Sequence, residues 1–486
     1  MSHLEKQYMM RQFLLFRKVL GDEKRQMFIG RKKELEQLKA FYEDEKKKVA
    51  CVTGSFGMGK TALLRHFIQD KNSVYFCAYE TTRQQEISMF AHPLGIKKAK
   101  TMEDCLDKIT TMAKKEKLLV VIDQYHYFAK ADTTFNQILF DYVTGVWKDL
   151  PVKLILCGDA FLSMEKIVYG KKALWRDSID LRLELKGMGF MEAREFFPEE
   201  KPENAALLYG ISGGIPAHLS RIAGCEPKEA ARKIFVGECG KSAFLPEQVM
   251  GSELRELSYY NCILSAMAKG MNRVNQLSEE VDKPKDIVVP YLNALMSIGV
   301  VTKQTAITEE TNRKKTRYSI VNSNTIFWYQ FIVPHMDLYS TGQWDQLWEE
   351  YILPDLDIFM QKVFIDMSRE YIEEKSKKGE YPFLIERSGN WWTNDDEAGT
   401  TEGFDIVSLG TNGEKDVTVY SLCFYDNRII EVAEIKAMIE MTRKLHREGD
   451  VYYVVCAKEG FHENVETVAS TIKNILLITL DEEISC

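Results

Sequence analysis

Residues 48–67 read KVACVTGSFGMGKTALLRHF, and this stretch decides the fold. A short apolar run leads into Gly54-Ser55-Phe56-Gly57-Met58-Gly59-Lys60-Thr61, which fits G-x-x-x-x-G-K-[ST], and a helical pattern follows from Ala62. A strand, this loop and a helix, in that order, are the context in which the pattern binds phosphate. The stretch therefore predicts a P-loop nucleotide-binding domain.

Each residue type in the loop has a chemical role in binding ATP and Mg²⁺. The glycines let backbone N–H groups turn toward the phosphates, and the N-terminus of the helix adds partial positive charge. Lys60 is expected to contact the β and γ phosphates, and the Thr61 hydroxyl is expected to be a magnesium ligand. Residues 54–62 are therefore the predicted phosphate site.

Three more apolar runs follow, SVYFCAYE, LLVVID and VKLILCGD. Short runs that are apolar on both faces are typical of buried parallel strands with helices between them. We predict an α/β fold with a P-loop parallel sheet. LLVVID ends in Asp123, whose carboxylate is expected to hold magnesium through water.

The residue after Asp123 bears on hydrolysis. P-loop ATPases of this kind usually carry a glutamate there to polarise the attacking water, and this chain has Gln124. A neutral amide can hydrogen-bond a water but cannot take its proton. We expect binding with slow hydrolysis, in which Gln124→Glu would speed turnover. His126 is either a substitute base or a bystander at the end of the strand.

The remaining chain divides into further segments. The predicted units are an N-terminal extension (1–26), the P-loop domain (27–187), a helical lid (188–249), a winged helix-turn-helix (250–335) and a C-terminal α/β domain (336–486). The winged-helix prediction rests on three helical patterns followed by a hairpin pattern with a basic tip, Asn312 to Arg317.

Bulk composition restricts the partners. The net charge of -8 over 486 residues argues against a mainly electrostatic nucleic-acid binder. The sequence has no apolar stretch of the roughly 18 residues that a membrane helix needs, and its N-terminus lacks the apolar core of a secretion signal. The ten cysteines include no CxxC pair, which favours free thiols. We expect a cytoplasmic protein without a membrane partner.

Several segments together resemble the archaeal-type ATPases, found also in bacteria, within the signal-transduction ATPases with numerous domains. The segments are Phe28-Ile29-Gly30-Arg31-Lys32-Lys33-Glu34-Leu35, Gly213-Gly214-Ile215-Pro216, EAREFF from Glu192 and Phe327-Trp328-Tyr329. The resemblance implies that Phe28, Gly30 and Arg31 pack near the adenine and that Pro216 lies near the base.

Two positions depart from the family pattern. Asp159 follows Gly158 where the family usually has serine, and an acid there is expected to face away from the γ-phosphate or to bind magnesium-linked water. Arg176 lies in Leu174-Trp175-Arg176-Asp177, where the family has Leu-Tyr-Gly-Arg. It is either a displaced phosphate-sensing arginine or a surface residue.

The C-terminal segment resembles the restriction-endonuclease-like module that often follows this ATPase. Asp405 matches the aspartate of that nuclease, but Leu422 and Phe424 stand where its glutamate and lysine belong, and Ile365 replaces a helix glutamate. One carboxylate cannot assemble the metal site. The prediction is a catalytically degenerate nuclease-like domain.

Two function classes follow. The first is a nucleotide-dependent switch with slow ATP hydrolysis, and the second is an active ATPase coupled to DNA binding or DNA cleavage. The winged helix could contact DNA, or it could brace the nucleotide domain from within the chain. A protein partner is expected, but the sequence does not identify it.

Overall fold

The computed structural model describes residues 28–159, 164–236, 246–251, 254, 256–307, 316–395, 400–413, 415–443 and 449–484. The predicted N-terminal extension, residues 1–26, and positions 312–315 of the predicted wing tip lie outside these ranges. Among the described helices, none combines the length and the apolar composition needed to cross a bilayer.

The N-terminal region is built on a five-stranded parallel sheet, which confirms the predicted α/β fold. Its strands are β1 Val49–Thr53, β2 Ser73–Cys77, β3 Leu118–Asp123, β4 Val152–Gly158 and β5 Leu181–Glu184. The order across the sheet is β2-β3-β4-β1-β5, and every pairing is parallel. The four apolar runs of the sequence form β1 to β4. The sequence does not indicate β5, which is four residues long and mostly exposed.

Helices cover both faces of this sheet. They are α1 Lys32–Glu43, α2 Lys60–Phe67, α3 Arg83–Ala91, α4 Met102–Ala113, α5 Tyr125–Ala131 and α6 Thr133–Asp141, with π-helical turns Tyr142–Val146 and Glu165–Tyr169. One core cluster contains Phe41 and Leu63, and the other contains Phe90 and Phe128. Burial of these side chains is the main stabilising contribution to the layers. The layers hold the carboxyl ends of β1, β3 and β4 side by side.

A helical region follows the sheet, as the sequence predicts. It comprises α7 Phe190–Ala193 with a 3-10 turn Arg194–Phe196, α8 Pro202–Ser212, α9 Pro216–Ile222, α10 Pro227–Phe235 and α11 Pro246–Gly251. Helices α8, α9 and α10 each begin with a proline, which suits the first turn because the N–H that proline lacks has no partner there.

The next region has three helices and a hairpin in the predicted order. These are α12 Ser258–Ala268, α13 Val274–Glu280, α14 Lys285–Ser297 and the antiparallel pair β6 Val301–Thr305 and β7 Thr316–Ile320. The element order is thus the predicted one, and its assignment as a winged helix stays a prediction.

Short helical segments lead into the C-terminal region. They are α15 Ser323–Phe327, π-helical Trp328–Ile332, 3-10 Val333–His335, α16 Met336–Ser340, α17 Trp344–Leu347, π-helical Trp348–Ile352 and 3-10 Leu353–Asp355. The long helix α18 Leu356–Lys377 comes next.

The C-terminal sheet has five strands of mixed direction. Its elements are β8 Leu384–Asp395, β9 Thr400–Thr411, β10 Asp416–Phe424, α19 Val432–Arg443, β11 Asp450–Ala457, α20 Glu463–Thr471, β12 Ile475–Thr479 and π-helical Leu480–Ile484. The order is β12-β11-β10-β9-β8, with β8, β9 and β10 antiparallel and β10, β11 and β12 parallel. The apolar runs FDIVSLG, DVTVYSLCFY, VYYVVCA and ILLITL of the sequence lie on β9, β10, β11 and β12, and β8 has no such run. The nuclease-like assignment stays a prediction.

One hydrophobic cluster joins the regions beyond the first sheet. It includes Phe190 and Ile211 of the helical region, Leu292 of α14, Phe359 of α18 and Val454 of β11. The lid, the three helices and the C-terminal region therefore share buried contacts. The predicted domain boundaries stay predictions.

Candidate nucleotide-binding site

The loop between β1 and α2 has the close packing that its glycines permit. Gly54 has a φ of 149°, and a Cβ added there would lie 2.5 Å from the Leu185 carbonyl oxygen. Gly59 has a φ of 83° and is the N-cap of α2. Side-chain-bearing residues rarely adopt this backbone region. Both glycines are therefore required by the path of the chain.

Lys60 is folded over this loop. It is 5% exposed, and its Nζ donates to the carbonyl oxygens of Gly54 (2.8 Å) and Ser55 (2.9 Å). A buried ammonium group with uncharged partners gains from an incoming anion, because the anion would neutralise its charge. Lys60 therefore fits a phosphate group.

Thr61 and Asp123 meet beside the loop. The Thr61 hydroxyl donates to Asp123 Oδ2 at 2.7 Å, and Asp123 is 1% exposed. Hydroxyl and carboxylate oxygens are ligands that Mg²⁺ prefers. The pair fits the ion, which when bound would neutralise phosphate charge. Groups of three or more metal-ligating side chains are not found in the described part of the chain.

Tyr75 is a third member of this cluster, which the sequence analysis missed. Its hydroxyl donates to Asp123 Oδ2 at 2.6 Å, the same oxygen that Thr61 contacts. Burial, and secondarily the charge of Asp123, raises the pKa of Tyr75, so the phenol stays protonated and can donate. Tyr75 could be identified from the sequence as a hydroxyl-bearing residue on β2, the strand that lies beside β3.

Gln124 lies at the N-terminus of α5 with a left-handed backbone, φ 57°. Its backbone N–H donates to Asp123 Oδ1 at 2.9 Å, and its Nε2 donates to Asp159 Oδ2, also at 2.9 Å. Asp159 thus contacts the amide of Gln124, a contact that the sequence analysis does not anticipate.

His126 is 2% exposed and lies close to the same strand ends. Its Nδ1 is 3.4 Å from the position that a Cβ on Gly158 would take. Burial lowers the pKa of His126, and the Asp159 carboxylate opposes that shift. A neutral imidazole can accept a proton, so the role of substitute base stays a prediction.

Arg31 braces the outer side of the loop. It is 4% exposed, and its Nη2 donates to the carbonyl oxygens of Met58 (3.0 Å) and Lys186 (2.6 Å). Its backbone N–H donates to the Glu192 carboxylate, which also lies where a Cβ on Gly30 would fall. Arg31 therefore links Met58 of the loop to Lys186, and Gly30 leaves the space that the Glu192 carboxylate occupies.

The lid helix α9 lies against the front of the loop. The Ala217 N–H donates to the Gly57 carbonyl oxygen at 3.2 Å. Pro216 Cβ is 3.7 Å from the position that a Cβ on Gly59 would take. The structure thus brings Pro216 to the loop.

Comparisons with known proteins bear on this region. Residues 28–222 match the family model described as an ATPase domain predominantly from Archaea. These residues carry an archaeal-type ATPase domain. Residues 328–427 match the model described as archaeal and bacterial proteins of unknown function.

An uncharacterized protein from Methanocaldococcus jannaschii is 25% identical to this chain over 401 residues, which are 81% of this chain and 87% of that protein. A Walker-type ATPase of Pyrococcus abyssi matches at 18% identity with a TM-score of 0.45, over 63% of this chain and 97% of that one. The ORC2 protein of Aeropyrum pernix matches at 13% identity with a TM-score of 0.43, over 66% and 97%.

Some residues of the archaeal-type ATPase domain that are predicted to contact the nucleotide lie at the edge of its phosphate loop. Phe28 stacks on His66 of α2 with ring centroids 4.3 Å apart. Phe56 is 43% exposed, and Ala62 is also exposed. Nucleotide contact by Phe28, Ser55, Phe56, Met58 and Ala62 stays a prediction.

Arg176 is exposed on the archaeal-type ATPase domain. Its carbonyl oxygen accepts from Arg182 at 3.2 Å. The preceding Trp175 is fully buried, and its Nε1 donates to Tyr125 and Asn136. Trp175 therefore anchors this segment, and phosphate sensing by Arg176 stays a prediction.

Proposed function

We propose that this protein binds ATP with Mg²⁺, hydrolyses it slowly, and uses the bound nucleotide to reposition its lid and C-terminal region. The archaeal-type ATPase domain supports nucleotide binding. Lys60 would hold the phosphates, and Thr61 and Asp123 would hold the ion. Slow turnover follows from Gln124, because an amide accepts a hydrogen bond from water without taking a proton.

The observation that carries the switch proposal is a continuous set of contacts from the loop to the C-terminal region. Its first link is α9, whose Ala217 N–H donates to Gly57 of the loop. Phosphate binding draws loop N–H groups toward the ligand. A shift of Gly57 would therefore move its hydrogen-bond donor, Ala217, and with it the start of α9.

The second link lies just before α9, at the end of α8. Helix α8 ends at Ser212, with Gly213 as its C-cap, and the last carbonyls of a helix have no partner within it. Side chains after β7 supply the partners: Ser323 Oγ donates to Gly210 O (2.7 Å), Asn324 Nδ2 to Ile211 O (3.0 Å) and Asn322 Nδ2 to Gly213 O (3.0 Å). We call Asn322, Ser323 and Asn324 the α8 clamp. It connects the segment that follows the hairpin to the turn that positions Pro216.

The third link is made by α18. The Glu370 carboxylate accepts from the Phe190 N–H at 2.6 Å, at the N-terminus of α7. Burial raises the pKa of Glu370, although hydrogen bonds from the Phe190 and Met191 backbone oppose the shift. The carboxylate also fits the partial positive charge of the helix end. The lid is thereby attached both to the segment that follows the hairpin and to α18 of the C-terminal region.

The hairpin contacts favour an intramolecular role for this region over DNA binding, and they reach the C-terminal sheet rather than the nucleotide domain. The Ile307 N–H donates to Asn390 O of β8 at 3.0 Å, and the Arg317 guanidinium lies 4.3 Å from the centre of the Trp392 ring. Burial lowers the pKa of Arg317 to about 10. The Arg317 guanidinium therefore makes a cation–π contact inside the protein, where a DNA-binding arginine would face a phosphate. Beside the hairpin, α13 presents Glu279 and Glu280, which would repel phosphates.

The C-terminal contacts favour a non-catalytic role for the nuclease-like domain. Asp405 accepts from the Cys423 backbone N–H at 2.9 Å, which is a structural use of its carboxylate. Burial raises the pKa of Asp405. The neighbouring strand carries Leu422 and Phe424, whose side chains offer no metal ligand.

Hydrogen exchange tests the switch. Exchange of residues 322–327 should slow when ATP and Mg²⁺ are added to the wild type, and it should not change for Lys60→Ala. Lys172→Ala, which changes an exposed lysine, is the matched control and should behave as the wild type. If ATP protects the loop of the wild type and leaves residues 322–327 unchanged, ATP binds without the proposed coupling.

A further inference from the structure

The side chains of Gln124 and Asp159 face each other at the ends of neighbouring strands. Gln124 follows β3, Asp159 follows β4, and these strands pair directly. Gln124 Nε2 lies 2.9 Å from Asp159 Oδ2. An ionised carboxylate only accepts hydrogen bonds, so the NH₂ end of the amide must be the end that faces Asp159. The contact therefore fixes which way the amide points.

The other end of the amide is left without a partner. Gln124 Oε1 is buried and has no hydrogen-bond partner among the described residues, and the same holds for Nδ1 of His126. A buried acceptor without a donor is unfavourable, and a water molecule that donates to it removes that cost. Oε1 belongs to the residue that follows Asp123 in the chain and whose backbone N–H donates to Asp123 Oδ1, and Asp123 is a candidate magnesium ligand.

We propose that Asp159 is a positioning residue for ATP hydrolysis, which orients Gln124 so that Oε1 is presented to the attacking water. This inference rests on the proposed function. In the step, the water oxygen bonds to the γ-phosphorus, and the bond from that phosphorus to the bridging oxygen of ADP breaks. One water proton stays in the new P–OH group, the other passes to a γ-phosphate oxygen, and both leave with phosphate. Gln124 only orients the water.

The contact also revises the sequence-based expectation for Gln124→Glu. A glutamate at this position would place a second carboxylate at hydrogen-bond distance from Asp159. Two carboxylates that share a site disfavour ionisation of both, so one is protonated or turns away. Gln124→Glu alone should therefore gain little. With Asp159→Asn added, the asparagine NH₂ can hold the new carboxylate, and the glutamate is free to act on the water.

Single-turnover hydrolysis of radiolabelled ATP tests this in four variants, with ATP affinity measured by calorimetry for each. Asp159→Ala, which removes the acceptor of the Gln124 NH₂ group, should slow hydrolysis about tenfold or more and leave ATP affinity within about twofold. The double variant Gln124→Glu/Asp159→Asn should hydrolyse at least about tenfold faster than Gln124→Glu alone. Asp149→Asn, an exposed aspartate near the opposite end of β4, is the control and should match the wild type.

The measured ATP affinities distinguish a failure of the proposed function from a failure of the inference about Asp159. If the wild type binds no ATP, the proposed function and this inference both fail. If ATP binds but Asp159→Ala hydrolyses at the wild-type rate, only the inference is wrong. A double variant no faster than Gln124→Glu also overturns it, and this comparison decides even where wild-type turnover is too slow to measure. A merely structural role for Asp159 would lower affinity together with rate and would give no acceleration in the double variant.

Discussion

Among the residues of the α8 clamp, Asn324 is the most deeply buried, so its substitution should lower the free energy of unfolding the most. It is 2% exposed, and its Nδ2 donates to Ile211 O at 3.0 Å. Asn324→Ala removes that bond and leaves the Ile211 carbonyl without its donor. Leaving a buried polar group unsatisfied costs about 1–3 kcal/mol. The variant should therefore lose about that much free energy of unfolding, and the link between the lid and the segment that follows the hairpin should weaken.

Two measurements on Asn324→Ala separate stability from coupling. Urea unfolding reports the loss of free energy, and hydrogen exchange of residues 208–213 and 322–327 with and without ATP reports the link. We expect faster exchange in both segments and a smaller effect of ATP on residues 322–327. Asn293→Ala, which changes an exposed asparagine of α14, should change neither quantity. If Asn324→Ala keeps wild-type stability and the full ATP effect, the α8 clamp does not connect the regions.

Three further predictions concern other parts of the chain. A protein that begins at Met27 should fold and bind nucleotide, and a large drop in its melting temperature would make residues 1–26 an integral element. The full chain should not cleave plasmid or single-stranded DNA with Mg²⁺ or Mn²⁺, and cleavage that Asp405→Ala abolishes would refute the degenerate-nuclease proposal. Glu86 is fully buried, its carboxyl oxygens have no hydrogen-bond partner among the described residues, and burial raises its pKa to about 8. Because the unfolded carboxyl ionises at lower pH, stability should fall as pH rises from about 4.5 to 8, and Glu86→Gln should remove that fall, gaining about 1–3 kcal/mol at pH 7. Thermal melts across this pH range check it against the exposed control Glu116→Gln, and an equal slope in wild type and Glu86→Gln would contradict it.

The sequence predicts the loop and its sheet well because their signals are local. The glycine spacing before Lys60 and Thr61 is enforced by the path of the chain at Gly54. Strands β1, β3 and β4 are buried at every residue, so their composition is mostly apolar. Strand β5 is different, because its alternating LRLE pattern spans only four residues, which is too short to identify a strand without its pairing with β1. Strand β8 contains Gly389 and Asn390, which are uncommon within strands.

The contacts that complete the site depend on strand order, which a local pattern does not reveal. Tyr75 reaches Asp123 because β2 lies beside β3, and Asp159 reaches Gln124 because β4 lies on the other side of β3. The sequence predicts that Asp159 faces away from the γ-phosphate or binds magnesium-linked water, and it does not indicate the contact with Gln124, whose backbone is left-handed. Such a conformation is uncommon outside glycine, and composition gives little warning of it.

Titration calorimetry with ATP and Mg²⁺, carried out on the wild type and on Lys60→Ala, tests directly whether the loop binds ATP. Lys60 Nζ is buried at the loop, and a charge-assisted contact with phosphate contributes about 1.5–3 kcal/mol, which corresponds to about tenfold or more in Kd. Lys172→Ala is the control, and a melting curve of each variant shows that the fold is retained. We expect tight binding by the wild type and by Lys172→Ala, and at least about tenfold weaker binding by Lys60→Ala. Equal affinity in all three proteins, or no binding by the wild type, would contradict it.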